Sequence, residues 1–164
     1  MTYSDNDFFR VIGNISVYFA TLDFFVSELI MRLIPITPNA IQQTPPFNER
    51  STLGQKLRIL QKMTHDDVVK PEILPQIHYV LPDAIEVSEE RNRYIHDQWI
   101  FAPASISKGE IGRLKITIQK NWFPSFESSN HTIAELHEFL GKIDRLQKTF
   151  AEFVHALPQR TIEK

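Results

Sequence analysis

The chain of 164 residues contains no cysteine. Disulfides, thiolate metal sites and cysteine nucleophiles are therefore excluded, and several enzyme classes with them. The five glycines are isolated from one another, so no glycine-rich loop is present to cradle phosphates, and nucleotide hydrolysis by a P-loop is excluded on spacing. The Gly-x-Ser-x-Gly pattern of many serine hydrolases is absent as well.

Long apolar runs and a strong charge of one sign are also lacking. No apolar run reaches the roughly 20 residues that span a bilayer, because polar residues interrupt the longest candidate, residues 11–34. The N-terminal segment is acidic and lacks the basic start and apolar run of a secretory signal. We therefore expect a cytoplasmic protein without a membrane segment. The net charge of −2 argues against broad electrostatic binding of nucleic acid, so any RNA would be bound locally.

The composition is that of an ordinary globular protein, with 42% hydrophobic and 23% charged residues. The length suits a single domain with a core of its own. The six histidines are scattered, and none forms a compact metal-binding pattern with a carboxylate or a second histidine. We therefore expect neither a metal ion nor another cofactor.

Apolar residues recur at spacings of three and four, which predicts four helices. They cover about residues 5–34, 52–64, 72–97 and 131–157.

The first of these helices has an unusually wide apolar arc, because Phe9, Tyr18 and Phe24 extend it. Both a central core helix and a subunit interface fit this arc. In the third helix, Pro82 predicts either a kink or a break with a new start at Asp83.

Between the third and last helices the pattern changes to that of β-strands. Residues 99–101 and 114–119 alternate or cluster apolar side chains, and a turn-rich loop separates them. This predicts a β-hairpin over about residues 98–119, closed by the polar run 127–130, before Asn130, His131 or Thr132 caps the last helix. The predicted fold class is mainly all-α, a four-helix up-and-down bundle with a β-hairpin inserted between helices 3 and 4.

Polar chemistry is concentrated in residues 89–99, Glu-Glu-Arg-Asn-Arg-Tyr-Ile-His-Asp-Gln-Trp, near the end of the third helix. His96 can exchange protons near neutral pH. Arg91 offers a planar fork of donors that matches phosphate oxygens. These two side chains suit the cleavage of a phosphodiester.

Helical geometry complicates this pairing, because positions five apart differ by about 140° around the axis. Asn92 and His96, four apart, share a face, but Arg91 and His96 do not. Either the Arg91 side chain curls round, or the helix end distorts, or the pair is completed across a two-fold dimer. Arg58 and His65 form a similar pair, with six residues between them instead of four, but no polar residue follows that arginine.

The sequence Arg-Asn-x-x-x-His resembles the motif of HEPN domains, helical bundles that include metal-independent ribonucleases. The resemblance implies an endoribonuclease that cleaves single-stranded RNA by attack of the 2′-hydroxyl. It implies a homodimer, and a toxin or a stress or defence effector with an antitoxin or other regulatory protein as partner. His96 would be the general acid or base, and Arg91 would stabilise the phosphate. Asn92 would orient the histidine or a phosphate. The expected substrate-binding residues are Arg93, Tyr94 and Trp99. The inserted hairpin departs from the minimal pattern.

The alternative is a non-catalytic helical interaction module or a nucleotide-binding module. Arg91 would then bridge to Asp23 or Glu28 of the first helix, and His96 would cap the end of its own helix by bonding a carbonyl. An open cleft at Arg91 and His96 favours the enzyme, whereas side chains bonded within their own bundle favour the alternative.

Overall fold

A computed structural model describes residues 3–33, 51–65, 72–96, 98–118 and 124–158. The described chain is mainly helical with one small sheet, which confirms the mainly helical prediction. The helices are α1 (Asp5–Leu33), α2 (Leu53–His65), α3 (Leu74–His96), the short α4 (Pro103–Ile106) and α5 (Ile133–Ala156). The strands are β1 (Gln98–Ile100), β2 (Glu110–Ile118) and β3 (Pro124–Thr132).

The core lies between the four long helices and extends under the sheet. Helix α1 packs along α5 and also touches α2 and α3, while α3 packs against α2 and α5. The buried stripe of α1 follows the spacing of three and four that predicted the helix. At one end, Arg32 Nη1 donates to the carbonyl oxygens of Val154 at 2.7 Å and Leu157 at 3.1 Å, which satisfies carbonyls at the end of α5.

Helix α3 continues through Pro82, so the break with a new start at Asp83 is wrong. Pro82 is exposed, and its neighbours Leu81 and Ala84 are buried in the core. A helical proline removes one hydrogen bond, and the packing of the flanking residues keeps the helix continuous.

The sheet is antiparallel with the order β1-β2-β3. Strands β1 and β2 pair as the predicted hairpin requires, with Trp99 opposite Arg113, and α4 lies in the connection. The third strand was not predicted. Its sequence, Pro-Ser-Phe-Glu-Ser-Ser-Asn-His-Thr, is polar and lacks apolar alternation, yet it pairs with β2 along its whole length.

Helix α5 begins with a capping box, and its N-cap is Thr132, one of the three predicted candidates. Thr132 Oγ1 accepts from the Glu135 backbone N–H at 3.1 Å, and Glu135 Oε2 accepts from the Thr132 backbone N–H at 2.8 Å. Two donors that the helix start leaves without partners are thereby satisfied. The last residue of β3 is thus also the cap of α5.

Among the described helices, α1 is long and apolar enough to cross a membrane by length and composition alone. The core helix of a soluble protein meets the same criterion, and α1 buries one side against α5. Its other side carries exposed apolar residues, so the predicted wide arc is present. The expectation of no membrane segment stays a prediction. The exposed apolar residues are Phe9 (57% exposed), Val17 (63%), Phe24 (57%) and Met31 (42%).

Candidate functional site

A groove of about 300 Å³ opens between α1, the start of α2 and the last turns of α3. We call it the Arg91 groove. Thr52 and Gln55 form reciprocal side-chain to backbone bonds of 2.9 and 3.4 Å, and these define the start of α2 at the groove. Its lining residues are Ser16, Phe19, Ala20, Asp23, Ser51, Thr52, Leu53, Ser88, Arg91 and Asn92.

The Arg91 side chain lies along one wall of this groove. Its guanidinium carbon is 4.7 Å from the centroid of the Phe19 ring, and Nη1 donates to Asn92 Oδ1 at 3.3 Å. Its Nε is buried and has no hydrogen-bond partner among the described residues. Burial lowers the pKa of Arg91 from its usual value, and the negative charge of Asp23 opposes that shift. A partly desolvated guanidinium interacts more strongly with an anion than one in water does.

The bridge from Arg91 to a carboxylate of α1 is not formed. Asp23 pairs instead with Lys56, with 2.6 Å between Oδ2 and Nζ, and Glu28 lies 3.8 Å from Arg32 Nε. The second Asp23 oxygen, Oδ1, is buried without a hydrogen-bond partner in the described part of the chain. Arg91 therefore faces a carboxylate that another cation neutralises.

The basic residues of α2 differ in their surroundings. Arg58 and Lys62 are exposed, whereas Lys56 is only 7% exposed. Lys56 lies on the inner side of α2 beside Leu57 and Leu60, and its ammonium group reaches Asp23. A long aliphatic stem can be buried when its charged end meets a partner.

His96 is the last residue of α3, and its side chain lies outside the described part of the chain. The pairing of Arg91 with His96 therefore stays a prediction. Asn92 and Arg93 are exposed on the preceding turn, which suits the roles predicted for them.

Tyr94 and Trp99 lie in an aromatic cluster that we call the Tyr94 cluster, together with His131 and Phe139. Tyr94 is 3% exposed, and its ring stacks on Trp99 with 5.9 Å between centroids and 5° between planes. The Phe139 ring centroid is 4.8 Å away. Tyr94 Oη donates to Glu90 at 3.1 Å, and Trp99 Nε1 donates to the Tyr94 carbonyl at 2.9 Å.

The charge and burial of this cluster fit a structural role. Burial, followed by the charge of Glu90, raises the pKa of Tyr94 well above its usual value, so the phenol keeps its proton. A buried ring already stacked on Trp99 does not suit a residue that stacks an RNA base, as the sequence suggested. The two rings instead fasten the end of α3 to the sheet and to α5.

His131 was considered in the sequence only as a helix cap, and it lies edge-on to both rings, 5.5 Å from Tyr94 and 6.0 Å from Trp99. Its Nε2 is 3.1 Å from Ser129 Oγ and its Nδ1 is 3.6 Å from Glu135 Oε2. Burial and then the charge of Arg113 lower the pKa of His131. No sequence signal could have found this contact, because β3 itself gave none.

Within the described ranges, no three side chains of the metal-binding types come together. One histidine pair that the sequence did not anticipate is His65 on α2 and His78 on α3, whose ring centroids are 5.9 Å apart. Among the described residues this pair has no third ligand of the kind that protein zinc sites use.

Comparison with protein-family models, with curated proteins and with solved structures gives no significant match to this chain. A functional assignment therefore depends on the residues and geometry described above.

Proposed function

We propose that the protein is a metal-independent endoribonuclease of HEPN type that cleaves single-stranded RNA. The observation that supports this most is the position of Arg91, which lines an open groove and forms no ion pair with a described residue. The motif Arg-Asn-x-x-x-His also ends a long helix, as in the family that it resembles. We further propose that the four long helices form the up-and-down bundle of that family, with the sheet as an insertion.

In this mechanism the 2′-hydroxyl of a ribose attacks the adjacent phosphorus, the bond to the 5′-oxygen of the next nucleotide breaks, and a 2′,3′-cyclic phosphate forms. His96 takes the proton of the 2′-hydroxyl or supplies one to the leaving oxygen. Arg91 donates to the phosphate oxygens as negative charge builds. Asn92 orients the phosphate or the histidine, and exposed Arg93 contacts the RNA backbone. Tyr94, which is 3% exposed, packs the end of α3 in this mechanism, and the predicted stacking of a base on Trp99 stays a prediction.

We propose a homodimer in which a second copy covers the exposed side of α1. Phe9, Val17, Phe24 and Met31 fall within an arc of about 80° around the helix. Ala20 lies within the same arc and also lines the Arg91 groove. A two-fold axis brings the same stripe of both copies together, so the two grooves would lie on either side of the interface. This arrangement lets the arginine of one subunit act with the histidine of the other.

We also propose that the enzyme acts in the cytoplasm and that a regulatory protein of the antitoxin kind restrains it. Uncontrolled cleavage of RNA would be harmful to the cell, which is the reason to expect such a partner.

The test is cleavage of a mixed single-stranded RNA in excess EDTA. We expect His96→Ala and Arg91→Ala to lower the rate by about 100-fold or more, the usual contribution of a proton-transfer group or charge stabiliser. Arg58→Ala and His65→Ala are matched controls, because they belong to the second pair with a similar spacing and should leave the rate unchanged. Thermal melting of each variant shows whether it is folded.

Absence of cutting by the wild type in folded form would contradict the proposal. The second candidate function, a non-catalytic interaction module, is favoured by the exposed apolar stripe of α1. If the protein is such a module, Val17→Asp, which places a charge in that stripe, converts the dimer to a monomer in analytical ultracentrifugation. The wild type then cuts no RNA.

A further inference from the structure

The first turn of α2 lies at the Arg91 groove and presents backbone donors there. The first four N–H groups of a helix have no partner within the helix itself. In α2 the first and the fourth are satisfied by the reciprocal side-chain bonds of Thr52 and Gln55. The second and the third, those of Leu53 and Gly54, have no partner among the described residues. They carry the partial positive charge at the start of the helix dipole.

The Ser88 hydroxyl of α3 lies beside this turn and also has no hydrogen-bond partner in the described part of the chain. Ser88 is 4% exposed and lines the groove, and its Oγ, unlike Arg91 Nε, is not completely sealed from it. A Cβ at Gly54 would lie 3.3 Å from this Oγ, so the glycine lets the hydroxyl approach the start of α2 closely. Since buried polar side chains nearly always have a partner, this hydroxyl indicates a group bound in the groove.

The guanidinium of Arg91 adds further donors. Ser88 and Arg91 are three residues apart on α3, so their side chains are neighbours on one face of the helix. Nη1 of Arg91 reaches the exposed Asn92 side chain at 3.3 Å, and the Phe19 ring packs 4.7 Å from the guanidinium carbon. Backbone N–H groups, a hydroxyl and a guanidinium thus meet at one place, and all of them can donate.

The charges that line the groove also favour an anion. Among the described lining residues, Asp23 carries the negative charge, and Lys56 offsets it with 2.6 Å between Nζ and Oδ2. Two cations and one carboxylate leave a net positive charge, to which the start of α2 adds. An ionised phosphate accepts hydrogen bonds at several oxygens, and helix starts and arginine side chains are its usual partners in proteins.

We propose that the start of α2, together with Ser88 and Arg91, forms a phosphate-binding site. The phosphate accepts from the N–H groups of Leu53 and Gly54, from the Ser88 hydroxyl and from a terminal nitrogen of Arg91. In the proposed nuclease this is the phosphate at which RNA is cut, and the 2′-hydroxyl stays free to react. That role rests on the proposed function. The site itself rests on the donors and the charge of the groove.

The experiment measures binding without cleavage. Inorganic phosphate is titrated into the ¹⁵N-labelled protein, with chloride at matched ionic strength as the reference. We expect the NMR amide signals of Leu53 and Gly54 to shift and saturate with phosphate but not with chloride. A deoxydinucleoside monophosphate is the second ligand, because it lacks the 2′-hydroxyl and is not cut by the proposed route. It should move the same two signals.

Ser88→Ala removes one donor and should weaken phosphate binding about 10-fold or more, the effect of a hydrogen bond to a charged group. Ser16→Ala is the matched control, because Ser16 lines the same groove but already donates its hydroxyl to the Ile12 carbonyl oxygen at 3.2 Å. A hydroxyl has one proton to donate, so this variant should bind as wild type. Arg91→Gln removes the guanidinium charge and should weaken binding at least as much, which tests the site if Ser88→Ala does not fold.

Absence of a saturable shift at Leu53 and Gly54 with either ligand would overturn the proposal, as would unchanged phosphate affinity in folded Ser88→Ala. Phosphate binding without RNA cleavage would refute the nuclease and keep the site. Metal-independent RNA cleavage by a protein whose α2 signals ignore phosphate would keep the nuclease and refute the site. Binding of inorganic phosphate but not of the dinucleotide would identify a site for free phosphate and overturn its role in RNA cleavage.

Discussion

Arg91 and Tyr94 are three residues apart on the same helix, yet their surroundings differ in kind. In the Tyr94 cluster the phenol donates to Glu90, the indole donates to a carbonyl, and the rings pack on one another. In the Arg91 groove a buried donor and a buried acceptor have no described partner. The comparison shows that neighbouring residues of one compact sequence motif can differ in whether their buried polar atoms have hydrogen-bond partners.

The physical basis of the difference is the cost of an unsatisfied polar group. A buried donor or acceptor without a partner costs about 1–3 kcal/mol, so a stable fold tolerates it mainly where a ligand later satisfies it. The aromatic cluster has no such cost and gains from burial. Residues of the first kind are candidates for function, and residues of the second kind hold them in place.

The largest expected effect, and the strongest way to break the comparison, is that of Tyr94→Ala. Removal of a buried aromatic ring typically costs about 3–5 kcal/mol in the free energy of unfolding. Urea unfolding followed by circular dichroism measures it. Tyr79→Ala is the control, since Tyr79 is 82% exposed and should change stability by about 0.5 kcal/mol or less. A loss of about 0.5 kcal/mol or less for Tyr94→Ala, the range of a surface substitution, would mean that the cluster is not structural.

A smaller loss of about 1–3 kcal/mol is expected for Lys56→Met, which keeps the aliphatic stem but leaves the Asp23 oxygen without its bond. The same unfolding measurement applies, with Lys62→Met as the exposed control. This variant sharpens the comparison, because it measures how much the Lys56–Asp23 pair stabilises the fold while Arg91 in the same groove is unchanged. If both variants matched wild type, the Lys56 pair would be a surface pair in its energetics.

Thr132→Ala is expected to cost about 1 kcal/mol, because the N-cap of α5 loses the hydroxyl that accepts from the Glu135 N–H. Thr117→Ala on β2 is an exposed threonine for comparison. Since Thr132 joins β3 to α5 next to His131, NMR shifts of the Tyr94 cluster should change while those of the Arg91 groove stay constant. Shifts in both regions would show that they are coupled.

The smallest effect concerns pH and His131. Burial and Arg113 lower its pKa below the usual 6.5, so the folded protein takes up this proton less readily than the unfolded chain. Stability should therefore be fully present above about pH 6.5 and decline as the pH falls through that value. The decline levels off below the lowered pKa of the folded state.

Urea unfolding at several pH values checks this prediction. His131→Gln should remove part of the decline on acidification, whereas His137→Gln, at an exposed position of α5, should not. Identical pH profiles for wild type and His131→Gln would contradict the assigned shift.

The periodic elements were predictable because their signals are local. The four long helices follow apolar spacing, and the start of α5 at Thr132 follows from a cap residue with glutamate three positions later. Strand β3 was not predictable, since polar side chains carry no alternation and its main-chain bonds come from β2. The groove was half predicted: Arg91 and Asn92 came from the motif, and Asp23 was considered only as an ion-pair partner of Arg91.

The sequence by itself determined the helices, the absence of cysteine chemistry and the concentration of polar groups at the end of α3. Only the tertiary structure decided which of those groups are available. Lys56 went inward because its face of α2 packs on α1, and Tyr94 became structural because the sheet and α5 cover it. The reason is that burial depends on elements far apart in the chain, whereas periodicity and capping depend on neighbours within a few residues.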